Sequence, residues 1–174
     1  MSTINEMKKA LNDVVIPRLR ERGFKGSLPH FRRFRDDRVD LLMFQFDKWG
    51  GGFVIEVGHC SPQGMMTSWG GHIPAEKMKA YYLNFNCRER VQPRKGGSPN
   101  DWFRYDSATR PEEFAEVAQS VIPLLEHMEE ILDRLPIENE CSEETQEKIA
   151  PPFPSGEDGK PGVIRRFLGF FKQN

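Results

Sequence analysis

A chain of 174 residues can close one domain around a real core and is too short for two ordinary ones. Hydrophobic residues make up 37% and charged residues 29%, so part of the chain contributes little to a core, while 13 Phe and 3 Trp point to a core rich in aromatic rings. The net charge of −1 argues against a dedicated nucleic-acid binder, and no stretch approaches the roughly 20 apolar residues that span a bilayer.

The charge is unevenly spread. Residues 17–38 carry eight Arg/Lys against three acids, residues 112–134 seven acids against one Arg, and residues 136–160 seven acids against two Lys. Such asymmetry can steer a partner, although a solvated helix face produces it equally well. The cysteines Cys60, Cys87 and Cys141 have no paired spacing, and no leader-like apolar run opens the chain. Free thiols in a reducing cytoplasm are the expectation.

The first element is a helix over 3–22. Thr3 and Glu6 have the spacing of a capping box, Ile4, Met7, Leu11, Val14, Val15 and Leu19 recur at helical intervals, and Gly23 stands where a left-handed residue ends a helix. Pro17 inside the pattern removes one backbone hydrogen bond. Strands follow at Phe31–Arg35, Val39–Lys48 and Phe53–Cys60, the last two joined by Trp49-Gly50-Gly51-Gly52. Closing that hairpin between Lys48 and Phe53 groups Leu42, Phe44, Phe46, Phe53, Ile55 and Val57 on a core face and sets Gln45 opposite Glu56 on the other. Pro74 opens an expected short helix through Tyr82, Asn84–Val91 alternates as a strand with Phe85, Cys87 and Val91 on one side, and Asp101–Tyr105 is a last strand. Thr109 and Glu112 repeat the capping-box spacing before a long amphipathic helix interrupted by Pro123 and stopped by Pro136.

The fold class is therefore α+β: an N-terminal helix, a four- or five-stranded antiparallel sheet, and a long C-terminal helix, both helices packed on the Phe-rich sheet face. The domain spans 1–135; 136–160 is an acidic, proline-rich linker; 161–174 is a short amphipathic helix with Val163, Ile164, Phe167, Leu168 and Phe171 on one stripe. That stripe suits a partner, a membrane surface or a second copy of the chain. Docking on the sheet side near Leu41, Met43 and Val54 is the simplest use of it.

No catalytic constellation stands out. His59, Cys60, His72 and Cys87 lack the spacing of a metal site, no Ser or Cys sits in a nucleophile turn, and Gly50-Gly51-Gly52 is not followed by the Lys-Ser/Thr of a phosphate loop. No catalytic residue, cofactor or metal is expected. The candidate binding face is the polar side of the sheet: Gln45, Glu56, Arg88, Arg90, Trp102 and Arg104, with Arg32, Arg33, Arg35 and Tyr105 nearby. The competing reading makes it an ordinary solvated face whose arginines pair with Asp40, Glu56 or Asp101.

Four segments carry a family resemblance: Leu19-x-x-x-Gly23-Phe24-Lys25, Gln45-x-x-x-Trp49-Gly50 leading to Phe53-x-Ile55-Glu56, Cys87-x-x-Arg90-Val91, and Asp101-Trp102-Phe103. In this order, over about residues 5–135, the chain resembles a bacterial family catalogued as domain of unknown function 4304. The resemblance implies a helix–sheet–helix domain and supplies no mechanism. Glu56 stands where that pattern carries Asn, and Gln92 where Gly follows the Arg-Val pair. Both departures weaken a polar site carried over from the family. The expectation for function is a non-enzymatic binding or accessory module, of immunity type, docking another protein. The alternative is a small enzyme or ligand-binding domain using the Arg/Gln/Glu face on an anionic substrate.

Overall fold

The computed structural model describes residues 3–67, 70–94, 96–98 and 100–136. Helix α1 (Thr3–Glu21) buries Met7, Leu11, Val15 and Leu19, one every fourth residue, against the sheet. It ends as expected: Gly23 has φ of +85°, its N–H donates to Arg20 O at 2.9 Å, and Phe24 N–H donates to Leu19 O at 3.0 Å. This double closure pulls Phe24 into the core beside Leu19.

The main sheet has six antiparallel strands: β1 (Lys25–Ser27), β2 (His30–Phe34), β3 (Val39–Phe46), β4 (Gly52–Cys60), β7 (Arg88–Val91) and β8 (Phe103–Arg104). They run in the order β1-β2-β3-β4-β7, with β8 beside the start of β4. A separate small ladder pairs β5 (Met65–Met66) with β6 (His72–Ile73). The sheet has one strand more than expected because the three residues of β1 carry no hydrophobic pattern to announce them.

In the β3–β4 hairpin Phe46 faces Phe53, Phe44 faces Ile55 and Leu42 faces Val57. The expected pairing was displaced by two residues, because Asp47 joins the turn: its N–H donates to Gly52 O at 3.0 Å, and its carboxylate accepts from Trp49 N–H at 2.9 Å. Gly50 and Gly51, both at positive φ, complete the reversal. A shift of two keeps every side chain on its expected face. The apolar grouping therefore survives, while Gln45 comes to stand opposite Val54 and Met43 opposite Glu56.

The first face of the sheet is the core. Phe31, Leu42, Phe44, Phe53, Ile55, Val57, Val91 and Phe103 pack there against α1, α2 (Pro111–Gln119) and α3 (Leu124–Arg134). Phe53 and Phe103 stack with centroids 4.9 Å apart. The long helix expected after Thr109 is two, with a turn over 120–123 that Pro123 ends as it enters α3. Glu113, not Glu112, closes the start of α2, accepting from the N–H groups of Thr109 at 2.6 Å and Arg110 at 3.0 Å. Pro111 takes the first helical position, so the third belongs to Glu113.

The same face carries an ion cluster at its β2 side. Asp40, 0% exposed, accepts from Arg33 and Arg35 through one oxygen and from Arg38 through the other, each at 2.7–2.8 Å. Arg33 also reaches Glu129, and Arg38 reaches Asp133, so the cluster fastens α3 to the sheet. Beside it the buried His59 donates from Nε2 to Leu135 O at 2.9 Å. Burial pushes this imidazole below its usual pKa, against the opposing pull of the Leu135 carbonyl.

The second face is roofed by the segment between β4 and β7. Three short 3-10 turns, Ala75–Lys77, Ala80–Tyr82 and Phe85–Cys87, place Ala75, Met78, Ala80, Leu83 and Cys87 against Val39, Leu41, Met43 and Cys60. This corrects two expectations. No helix runs from Pro74 to Tyr82, and Leu41 and Met43 are already covered by the domain itself. Phe85, expected beside Cys87 and Val91, is instead 72% exposed, because the backbone turns before β7 begins. Cys60 and Cys87 are both buried between the roof and the sheet. The stripe Val163, Ile164, Phe167, Leu168 and Phe171 lies outside the described residues, as do the linker from 137 and the terminal helix. No helix among the described residues is long and apolar enough to cross a membrane.

Candidate functional site

Alternation along each strand decides which predicted residues meet. Met43 and Gln45 of β3 share the second face with Val54 and Glu56 of β4. Glu56 stands opposite Arg90, and Gly58 opposite Arg88, which puts both arginines on that face. At the hairpin end Arg104 stands opposite Gly52, and Trp102, two residues earlier, shares its side of β8. Gln45, Glu56, Arg88, Arg90, Trp102 and Arg104 therefore do lie on one face.

Arg33 and Arg35 do not. Phe31 is in the core, so Arg33 and Arg35 point to the core side as well, where Asp40 takes both. Only Arg32 of that group reaches the second face. The period of two, counted from Phe31, contained this answer.

The electrostatics of the face are settled internally. Glu56, 7% exposed, accepts from Arg88 Nη1 at 2.9 Å through one oxygen and from Arg90 Nε at 3.0 Å through the other. Arg88 also stacks on Phe85, its guanidinium carbon 4.6 Å from the ring centroid. Arg104 donates to Asp106 at 2.7 Å; this bond raises the Arg104 pKa and lowers that of Asp106. Arg94 pairs with Asp101 at 3.4 Å. Arg88, Arg90 and Arg104, expected to await an anion, already have carboxylates.

The face divides into two halves. The roof reaches Val39, Leu41, Met43 and Cys60. Toward the hairpin, Gln45 and Arg104 are exposed and Trp102 is half-buried, and Trp49 at the tip is 85% exposed with Lys48 Nζ 4.7 Å from its ring centroid. In the sequence Trp49 reads as a turn residue and as part of the family resemblance, not as a member of the candidate face. A large ring beside two positive-φ glycines was the available signal that it stands clear of the fold.

Two concavities among the described residues adjoin the sheet. One is a sliver of the core between Phe44, Ile55 and Leu125. The other, an open groove of about 430 Å³, runs between β8 and α2 past Arg104, Ala108, Glu116 and Val117. Among the described residues no group of three or more His, Cys, Asp or Glu is placed to hold a metal ion.

A family model described as Domain of unknown function (DUF4304) matches residues 4–149. No curated protein and no solved structure matches the chain.

Proposed function

From the premise that this chain belongs to the DUF4304 family, we propose that it is a non-enzymatic binding module, of accessory or immunity type, which docks another protein on the hairpin half of its second sheet face. The observation that carries the proposal is the exposure of Gln45 and Arg104 beside the half-buried Trp102 beyond the edge of the roof, with Trp49 exposed at the adjoining hairpin tip. Tryptophan and arginine are the side chains that most often anchor protein–protein contacts, because each buries a large surface at small entropic cost. Glu56 supports this reading by holding Arg88 and Arg90 in place, so a partner that covers the trio meets one net positive charge instead of two. The same pairing weakens the anionic-substrate reading of Gln45, Glu56 and Arg90, since a ligand anion would have to displace a nearly buried carboxylate.

The test is site-specific photocrosslinking in cells that make the protein. A photoreactive residue at Gln45 should give a discrete crosslinked species that disappears when Trp49→Ala is added. The same residue at Asp13, on the outer side of α1, should give none. Identical products from both positions would dismiss the docking face.

A further inference from the structure

The arginines that meet carboxylates in this fold are many: Arg33, Arg35 and Arg38 around Asp40, Arg88 and Arg90 around Glu56, Arg134 with Glu89. One cationic group on the second face is organised differently. β2 sets His30 opposite Met43 and Arg32 opposite Leu41, so both side chains share the roofed face. The roof brings Lys79, Tyr81 and Tyr82 to them. The rings of His30 and Tyr81 lie 5.7 Å apart and those of Tyr81 and Tyr82 4.6 Å apart. Lys79 Nζ donates to Tyr81 Oη at 3.3 Å, and Tyr81 Oη donates to Tyr82 Oη at 3.5 Å. Arg32 Nε donates to Met78 O at 2.7 Å, which holds its guanidinium against the roof.

Three features separate this cluster from a solvated surface. Among the described residues neither Arg32 nor Lys79 pairs with a carboxylate, although both are held in place by other bonds. The Nδ1 atom of His30 is buried without a hydrogen-bond partner. Burial first, and then the charges of Lys79 and Arg32, push the His30 imidazole below its usual pKa. Like charges fixed near one another without a counter-charge repel, and an anion placed among them relieves that repulsion. All five side chains are half-buried, so they remain within reach of solvent while backed by the roof.

We propose that His30, Arg32, Lys79, Tyr81 and Tyr82 form a site for a phosphate-type oxyanion, either the free ion or the phosphoryl group of a small molecule. The donors differ in kind: an ammonium, the terminal nitrogens of a guanidinium and the phenol of Tyr82, which accepts from Tyr81 and keeps its own O–H. A tetrahedral oxyanion offers several acceptor oxygens to such a set, and its double negative charge matches Arg32 and Lys79, whereas a planar carboxylate answers only one of them. The tyrosine rings add an apolar wall on which an aromatic ester could rest. The anion site lies on β2 and the roof, apart from the docking half on β4, β7 and β8, so either can fail without the other.

The experiment is calorimetric titration of the full chain with inorganic phosphate, phenyl phosphate and acetate, ionic strength being held constant with chloride. Phosphate should bind with a stoichiometry of one. Lys79→Gln should weaken it by roughly tenfold or more, the effect of deleting one charge-assisted bond, and Tyr81→Phe should weaken it less. Lys9→Gln, which alters an exposed cation of α1, should leave binding unchanged. Tighter binding of phenyl phosphate identifies a phosphorylated small molecule as the ligand; preference for inorganic phosphate identifies the free ion. Absence of phosphate binding, equal binding by acetate, or affinity unaltered in Lys79→Gln would each overturn the site. Melting of the unliganded variants at the wild-type temperature shows that a lost signal is not lost folding.

Discussion

The two faces of the sheet are built by different means. The first is covered by three helices whose buried residues recur at helical spacing, and its strands contribute one phenylalanine after another: Phe31, Phe44, Phe53 and Phe103. The second is covered by short turns with little regular hydrogen bonding, and its cluster is made of small or flexible residues such as Ala75, Ala80, Met78 and Met43. Regular elements packed on aromatic rings leave few ways to relax, whereas turns can shift to follow a change beneath them. The first face thus holds the fold, and the second is free to carry surface chemistry.

Paired substitutions within β3 put this contrast at risk. Phe44→Ala, on the first face, should cost roughly 3–5 kcal/mol in urea unfolding. Leu41→Ala, equally buried on the second, should fall near the lower end of the roughly 2–5 kcal/mol range, because the roof can settle into the gap. Equal losses would show that the roof is as rigid as the helices.

The ion clusters allow a second comparison. Asp40 is wholly enclosed and balances three guanidiniums, so Asp40→Asn should destabilise by about 3–5 kcal/mol, the usual consequence of stranding buried charge. Glu56 serves two arginines that keep contact with water, and Glu56→Gln should cost only about 1–3 kcal/mol. Thermal unfolding of both variants in the same buffer decides whether burial sets the order.

Gly58 is a point of close approach between roof and sheet. A Cβ there would lie 2.5 Å from both Cys87 O and Leu83 Cδ1, so Gly58→Ala must lift the roof. A cost of about 1–3 kcal/mol is expected. Hydrogen exchange should quicken at Leu83 and Cys87 while Phe44 and Ile55 stay protected. Faster exchange on both faces would mean that the two covers open together.

The legibility of this fold in its sequence follows the same division. The first face is written in short-range patterns: the i, i+4 series of α1, the Gly23-Phe24 closure, and the alternation of Phe44, Phe46, Phe53 and Ile55. A glycine-rich turn can close at several points, so the register was displaced by two residues, but parity kept the faces correct. The second face depends on contacts distant in sequence, such as Arg32 with Met78 and Gly58 with Leu83. No periodicity in 61–87 reports those contacts, and the segment was read as loop, helix and strand. The six residues of the candidate face lie on one side of the sheet. Arg88 and Arg90 pair with Glu56, as the competing reading has it, whereas Arg104 pairs with Asp106, a partner that reading does not name.

The smallest expected effect is also the most local. Glu113 is half-buried at the helix start, where hydrogen bonds from the N–H groups of Thr109 and Arg110, and then from the Arg110 side chain, lower its pKa from 4.5 to about 2. A carboxylate whose folded pKa lies below its unfolded one is deprotonated more readily in the folded state, so it stabilises the fold above the unfolded value. That contribution is complete above pH 4.5 and fades as the pH falls toward about 2. Glu113→Gln should therefore melt below wild type at pH 6, and the gap should narrow steadily once the pH drops under 4.5. Its size stays small, because solvent still reaches and screens this carboxylate. Glu112→Gln, one position earlier, should show no such narrowing, since its carboxylate does not reach back to the helix start. A gap for Glu113→Gln that persists unchanged down to pH 2 would mean that the side chain acts through packing and not through its charge.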